Sequence, residues 1–122
     1  MLLATSNKAR RLLSLRYVGQ VRPEALAQGA ADIRKLAAEL PPGFRLLVDL
    51  SQLEAMDIKC LPELGRMMEF FDQAGVGVIL RVIPDPAKDI GLNILSAFHY
   101  PHRPIIITCE SILEAGGHLA EG

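Results

Sequence analysis

Apolar residues along the chain recur with two different periods, and the alternation between them predicts strands that alternate with helices. Between Leu13 and Tyr17 apolar and polar residues take turns, the period-two pattern of a strand with one face on a core. From Pro23 to Leu40 apolar residues recur at spacings of three and four, which predicts a long amphipathic helix. The Pro41-Pro42-Gly43 sequence ends that helix.

A short apolar run follows, with the composition of a central strand. Leu46–Leu50 is apolar apart from Asp49, as expected for a strand covered on both faces, and we expect a loop over Ser51–Met56. The next helix must begin near Ile58, Lys59 or Cys60, because Pro62 is tolerated only in a first turn.

The C-terminal half continues the alternation of strands and helices. The pattern predicts a strand over Val76–Ile83, a helix from about Pro86 to His99 capped by Asp85, a strand over Ile105–Thr108, and a short helix over Glu110–Ala115 interrupted at Gly116-Gly117.

These elements predict an α/β fold with a mainly parallel sheet of four to five strands and about four helices. Helices between successive strands favour right-handed crossovers and parallel pairing, and the Leu13–Tyr17 strand is the one expected to join as an antiparallel edge. The length fits one hydrophobic core, so we expect residues 1–122 to form a single domain.

Charge and cysteine content limit the classes of partner and compartment. Thirteen Lys and Arg against fourteen Asp and Glu give a net charge of -1, which argues against nucleic acid. The basic run Lys8–Arg11 is interpreted as a solvated strand flank. No segment approaches the roughly 20 apolar residues of a membrane span. Cys60 and Cys109 form neither a short-spaced metal pair nor a disulfide framework, and we expect a cytoplasmic protein.

The segment Asp49–Asp57 resembles the STAS family, which includes the antagonists of anti-sigma factors. Five of its residues match the family pattern, namely Asp49, Leu50, Leu53, Met56 and Asp57. The order of elements and the glycine after the first predicted strand, Gly19, are also similar. The resemblance implies a STAS-like fold and a regulatory module that binds another protein without catalysis.

The chain departs from the family where the antagonists carry a phosphorylatable serine or threonine. The corresponding sequence is Ile58-Lys59-Cys60, so the resemblance implies a module without the usual phosphorylation switch. We expect a protein partner to contact the segment through Ser51, Glu54, Asp57, Ile58, Lys59 and Cys60. Lys59 has a simpler interpretation as a solvated lysine beside a capping aspartate. An exposed edge strand would also allow a homodimer.

An alternative function is a carrier for a small apolar or lipid-like ligand. Ile83–Gly91 resembles a divergent bacterial branch described as STAS-like or Sec14-like, and Sec14-like relatives bind lipids. The ligand would lie between the sheet and the predicted third long helix, lined by Ile94, Leu95 and Phe98. The same apolar stripe is also what an ordinary core would show.

Candidate catalytic and metal-binding groups each have a simpler structural interpretation. Cys60 lies near a helix N-terminus, which can lower a thiol pKa, but a small buried side chain is the simpler expectation, as it is for Cys109. His99 and His102 are expected to pack at a helix end rather than hold a metal. For Asp85 and Asp89, one turn apart, capping and charge compensation by Lys88 are favoured. We therefore predict no enzyme activity, cofactor or metal.

Overall fold

The structure is a computed structural model, and it describes residues 1–85, 96 and 99–120. Its five strands are β1 (Leu2–Asn7), β2 (Leu12–Val21), β3 (Arg45–Met56), β4 (Val78–Val82) and β5 (Ile105–Cys109). The helices with described bounds are α1 (Pro23–Ala38), a 3₁₀ turn (Ile58–Cys60), α2 (Leu61–Gln73) and α3 (Ile112–Ala120).

The strands form one sheet in the order β1-β2-β3-β4-β5. Among the described strands only the β1–β2 pair is antiparallel, and β2 to β5 run parallel to one another. This confirms the predicted α/β class with a mainly parallel sheet. About four helices were predicted and three α-helices have described bounds, because most of the predicted Pro86–His99 helix lies outside the described residues. Ser96 and His99, which are described, are helical.

The N-terminal segment corrects the prediction of which strand is the antiparallel edge. That strand is β1, which the sequence pattern did not predict, whereas the Leu13–Tyr17 strand is part of β2 and pairs parallel with β3. In β1 only Leu2 and Ala4 pack against the core, so the six residues carry little apolar signal. Lys8–Arg11 forms the exposed turn between β1 and β2.

The predicted loop over Ser51–Met56 is wrong, because β3 continues through it and pairs with the second half of β2. At the first irregularity β3 advances three residues, from Asp49 to Gln52, while β2 advances two. At the second, β3 advances two residues, from Leu53 to Ala55, while β2 advances one, so β3 has one extra residue at each place. These bulges break the alternation of apolar and polar residues that identifies a strand in a sequence. Because β4 ends opposite Asp49, β2 is the only described strand that pairs with the rest of β3.

The predicted stripe of α1 is confirmed as a core face. Leu26, Ala30, Ile33 and Ala37 are all buried, and the helix packs with α2 on one face of the sheet. α2 follows the 3₁₀ turn directly, so the predicted start of this helix is confirmed. None of the described helices is long and apolar enough to cross a membrane.

The opposite face of the sheet is covered by α3. Its Ala115 and Leu119 pack against Leu80 and Val82 of β4 and Cys109 of β5. The predicted interruption at Gly116-Gly117 is wrong, since α3 runs through both glycines to Ala120. Burial of an apolar face on the sheet outweighs the roughly 1 kcal/mol that glycine costs in a helix interior.

Candidate functional site

The predicted partner-binding residues lie at the carboxyl end of the parallel sheet, where β3 ends and the 3₁₀ turn begins. Five of the six are exposed: Ser51, Glu54, Asp57, Ile58 and Lys59. These five residues define what we call the β3-turn surface. The structure therefore brings most of the predicted set together on one continuous segment, as a bulged strand followed by a turn rather than as a loop.

Asp57 fixes the backbone of this surface. Its Oδ1 accepts a hydrogen bond from the backbone N–H of Lys59 at 2.9 Å, and its carbonyl accepts one from the N–H of Cys60 at 2.9 Å. Its own N–H donates to the carbonyl of Val21 at 3.2 Å, which ties the turn to the end of β2. This is the geometry of a side-chain cap at the start of a helical segment, and it confirms the interpretation of Asp57 as a cap.

Cys60 lies beneath the β3-turn surface and cannot contact a partner there, so its place in the predicted contact set is corrected. The residue is fully buried, and its Sγ lies 3.7 Å from the carbonyl oxygen of Val21, to which it donates. Burial raises the pKa of the Cys60 thiol, and the negative charges of Asp57 and Glu24 raise it further. A buried protonated thiol is a poor nucleophile, which confirms the interpretation as a small core residue.

Ile58 is the most unusual side chain of the surface. It is a large apolar residue that is 76% exposed on a turn whose backbone is held by hydrogen bonds. Next to it is a concavity of about 270 Å³ lined by Met56, Asp57, Ile58 and Leu61. An exposed apolar group beside an apolar concavity, bordered by charged residues, is typical of a protein contact site.

Asp49, the first residue of the matched family pattern, has a structural task at the first bulge of β3. Its side chain is buried, and Oδ1 accepts a hydrogen bond from the N–H of Ser51 at 2.9 Å. Oδ2 lies 3.5 Å from Nε of Arg16 on the paired position of β2. This pair was not predicted from the sequence, because Arg16 and Asp49 become neighbours only when β2 and β3 are aligned.

The space between the sheet and α2 that an apolar ligand could occupy is small. Between the sheet and α2 there is a cavity of about 30 Å³, with Tyr17, Arg81 and Tyr100 among its lining residues. A cavity of that size has room for water, whereas small-molecule sites measure about 300–1,000 Å³. The predicted ligand-lining residues Ile94, Leu95 and Phe98 lie outside the described residues, so the carrier stays a prediction.

Two further groups near the cavity were not predicted from the sequence. Arg81 is almost fully buried and donates a hydrogen bond to Oγ of Ser96. Tyr100 is also buried, and burial raises the pKa of its hydroxyl well above the usual range for tyrosine. These polar groups lie among apolar neighbours, and the hydrogen bond from Arg81 connects Ser96 to β4.

The two histidines at the predicted helix end pair with two different carboxylates of α2. His99 Nδ1 lies 2.6 Å from Glu69 Oε1, and His102 Nδ1 lies 2.5 Å from Asp72 Oδ2. The backbone N–H of His102 also donates to Asp72 at 3.1 Å. These contacts fit the predicted role in packing at a helix end. Of the candidate acidic pair, Asp85 is exposed and Asp89 lies outside the described residues.

Comparisons with known proteins identify the fold. No family model matches the chain, and no curated protein matches it. Among solved structures, the unphosphorylated anti-sigma factor antagonist SpoIIAA is 18% identical with a TM-score of 0.64, covering 100% of this chain and 99% of that one. The phosphorylated form of SpoIIAA, described as a Bacillus cell fate determinant, is 18% identical with a TM-score of 0.60, covering 98% and 99%.

A third solved structure has a higher TM-score and lower identity. It is an uncharacterized protein of the DUF3478 family from Shewanella loihica PV-4 with a SpoIIAA-like fold, at 12% identity and a TM-score of 0.69. The alignment covers 98% of this chain and 92% of that one. At such identities the likeness shows the fold alone. The chain therefore has the STAS-like fold of SpoIIAA, as the resemblance implied.

Proposed function

We propose that residues 1–122 form one STAS-like domain that works as a non-enzymatic regulatory module and binds a protein partner through the β3-turn surface. The observation that carries the proposal is Ile58, an isoleucine that is 76% exposed on a capped turn beside an apolar concavity. The similarity of the fold to an anti-sigma factor antagonist supports a regulatory role.

The charges around Ile58 suit recognition of a protein with mixed polar character. Glu54 and Asp57, which precede Ile58 in the chain, supply negative charge, and Lys59, which follows it, supplies positive charge; all three are exposed. Charged residues at the rim of a contact orient the partner, while the central apolar residue provides most of the affinity. The partner we expect therefore offers an apolar socket with charges of both signs at its border.

We further propose that this contact is not switched by phosphorylation of the turn. SpoIIAA has been described in a phosphorylated and an unphosphorylated form. At the position that the resemblance assigns to the switch, this chain has Ile58-Lys59-Cys60, which offers no hydroxyl group. Lys59, with its permanent positive charge, and the apolar Ile58 occupy the positions where the antagonists would carry a reversible phosphate group.

The test compares two isoleucines at opposite ends of the sheet. Ile58 follows the carboxyl end of β3, whereas Ile105, which is 62% exposed, begins β5 at the amino end of the parallel strands. Affinity capture is carried out with the tagged wild type, Ile58→Glu and Ile105→Glu, each in lysate of the organism that naturally produces the protein. Mass spectrometry then identifies the captured proteins and extractable small molecules. Both substitutions add the same charge to an exposed site.

We expect that a partner protein is captured in stoichiometric amount with the wild type and with Ile105→Glu, and that it is lost with Ile58→Glu. A partner captured equally by both variants would place the contact elsewhere on the molecule. Capture of a small molecule without any protein would contradict the proposal and favour the carrier.

A further inference from the structure

The described part of the chain places a cysteine, a glutamate and a histidine together on the face of the sheet covered by α3. The ligand atoms of Cys109, Glu114 and His118 all lie within 4.8 Å of one another. Cys109 is the last residue of β5, and the other two lie one turn apart on α3. This cluster is remote from the β3-turn surface in sequence and belongs to different elements.

The ligand types and their placement favour zinc. A thiolate, an imidazole and a carboxylate are the three groups that bind Zn²⁺ in proteins, at about 2.0–2.3 Å, so ligand atoms around one ion lie within about 4 Å of each other. A spread below 4.8 Å therefore needs only small side-chain rotations to reach that geometry. Residues i and i+4 of a helix lie on the same face, so Glu114 and His118 can approach one ion together.

Glu114 makes one hydrogen bond through its carboxylate and one through its backbone N–H. Its Oε2 accepts from the backbone N–H of Glu110 at 2.8 Å, and its backbone N–H donates to Oγ of Ser111 at 3.1 Å. The same bonds cap the start of α3, which would be sufficient reason for a glutamate here. A metal-binding carboxylate commonly keeps such an outer hydrogen bond, so capping and metal binding are compatible.

Burial separates the three ligands into an inner and an outer part. Cys109 is fully buried against α3, His118 is partly buried and Glu114 is exposed. The sulfur therefore defines the inner wall of the site, while the glutamate leaves one side open to solvent. Three protein ligands with a water in the fourth position make up a familiar coordination set of zinc.

We infer that Cys109, Glu114 and His118 bind a zinc ion that fastens α3 to the end of β5. The helix has nine residues, too few to be stable alone in water. A bond from the ion to the strand and two bonds to the helix would fix its position across the sheet. This inference does not depend on the proposed partner contact, and either could fail without the other.

The test is a titration of the metal-free, reduced full-length chain with Co²⁺, which substitutes for Zn²⁺ and reports on its ligands. Binding through a thiolate produces a charge-transfer band in the near ultraviolet, and tetrahedral coordination produces intense visible bands. We expect about one Co²⁺ per chain, and displacement of the bands by added Zn²⁺.

Two of the three proposed ligands, Cys109 and His118, have a matched control elsewhere in the described chain. Cys109→Ser is expected to abolish the charge-transfer band, and Cys60→Ser, at the other buried cysteine, to keep it. His118→Gln is expected to weaken Co²⁺ binding by about a hundredfold or more, since loss of even an outer hydrogen bond costs about 10–100-fold in metal affinity. His102→Gln alters the exposed histidine that contacts Asp72, and it should leave Co²⁺ binding unchanged.

The cysteine variants and the histidine variants test the site independently of each other. If a cysteine variant does not fold, which circular dichroism would reveal, the histidine pair still decides, because both histidine side chains reach solvent. A wild-type chain that shows no charge-transfer band would overturn the inference. A charge-transfer band that persists in Cys109→Ser would also overturn it. Equal changes of the affinity for Co²⁺ in His118→Gln and His102→Gln would do the same.

Discussion

Asp57 accepts a hydrogen bond from the backbone N–H of Lys59 at 2.9 Å, so one carboxylate sets the conformation of the turn that displays Ile58. In the matched family pattern this aspartate directly precedes the segment where the antagonists are phosphorylated. Here its task in the structure is that of a cap. The same residue therefore connects the stability of the fold with the shape of the β3-turn surface.

Removal of this cap should weaken the fold measurably. Asp57→Ala is expected to lower the free energy of unfolding by about 1 kcal/mol, the usual effect of losing a capping side chain. Asp57→Asn keeps an oxygen that can accept from Lys59 and should lose much less. Urea denaturation followed by circular dichroism measures both. Equal losses for the two variants would show that the charge of Asp57, rather than its hydrogen bond, matters.

The raised pKa of the Cys60 thiol predicts how stability changes in alkaline solution. Because the thiol ionises less readily in the folded chain, the unfolded state loses its proton first as the pH rises past about 8.5. The stabilisation is therefore complete below that pH and is lost as the pH rises through the folded-state pKa. Urea unfolding between about pH 7 and pH 10, with a chelator present, should show the decline.

The matched variant for this prediction is Cys60→Ala. It removes the titrating group, so its stability should be lower at neutral pH but decline less steeply with rising pH. The rate of thiol alkylation is a second measurement. Cys60 should react more slowly than free cysteine in the folded chain, and as fast as free cysteine in urea. Parallel pH profiles for the wild type and the alanine variant would contradict the assignment to Cys60.

The sequence predicted best the elements whose apolar residues keep one period throughout. α1 is the clearest case, because every buried position from Leu26 to Ala37 follows the helical spacing. The same reasoning failed for β3, because its two bulges interrupt the alternation of apolar and polar residues. The part of the strand beyond Leu50 was therefore predicted to be a loop. Pairing with β2, which no local pattern encodes, is what holds Ser51–Met56 extended.

The candidate site was only partly visible for related reasons. A small buried Cys60 was expected from its place before the apolar stripe of α2 and is confirmed, but its contact with Val21 of another strand follows no local pattern. The Cys109 cluster was missed because a helix ending at Ala115 would leave His118 outside it. Glu114 and His118 share a face only if α3 continues through both glycines, as it does.

That continuation predicts opposite results for the same substitution at two glycines. An added Cβ would meet no atom within 4 Å at either Gly116 or Gly43, but Gly43 has a φ of +88° and Gly116 lies inside α3. Gly116→Ala should stabilise the fold by about 0.5–1 kcal/mol through helix propensity. Gly43→Ala should destabilise it by about 1–2 kcal/mol through backbone strain. Thermal unfolding distinguishes them; a destabilised Gly116→Ala would argue that α3 breaks there.

Asp49 allows the hydrogen bond at the first bulge to be separated from the ion pair across the strands. Asp49→Asn keeps an oxygen for the N–H of Ser51 but removes the charge that faces Arg16, whose side chain is 52% exposed. Since exposed or half-exposed ion pairs contribute about 0–1 kcal/mol, this variant should be nearly as stable as the wild type.

Asp49→Ala removes both contacts and leaves the N–H of Ser51 without its acceptor; because this hydrogen bond is only partly buried, we expect a loss of about 1 kcal/mol. Arg16→Gln is the control that removes the charge from the other side, and it should resemble Asp49→Asn. If Asp49→Asn and Asp49→Ala were equally destabilised in urea, the ion pair would be the important contact, because only the charge is missing from both. The bulge that positions Ser51 on the β3-turn surface would then depend on Arg16 of the neighbouring strand.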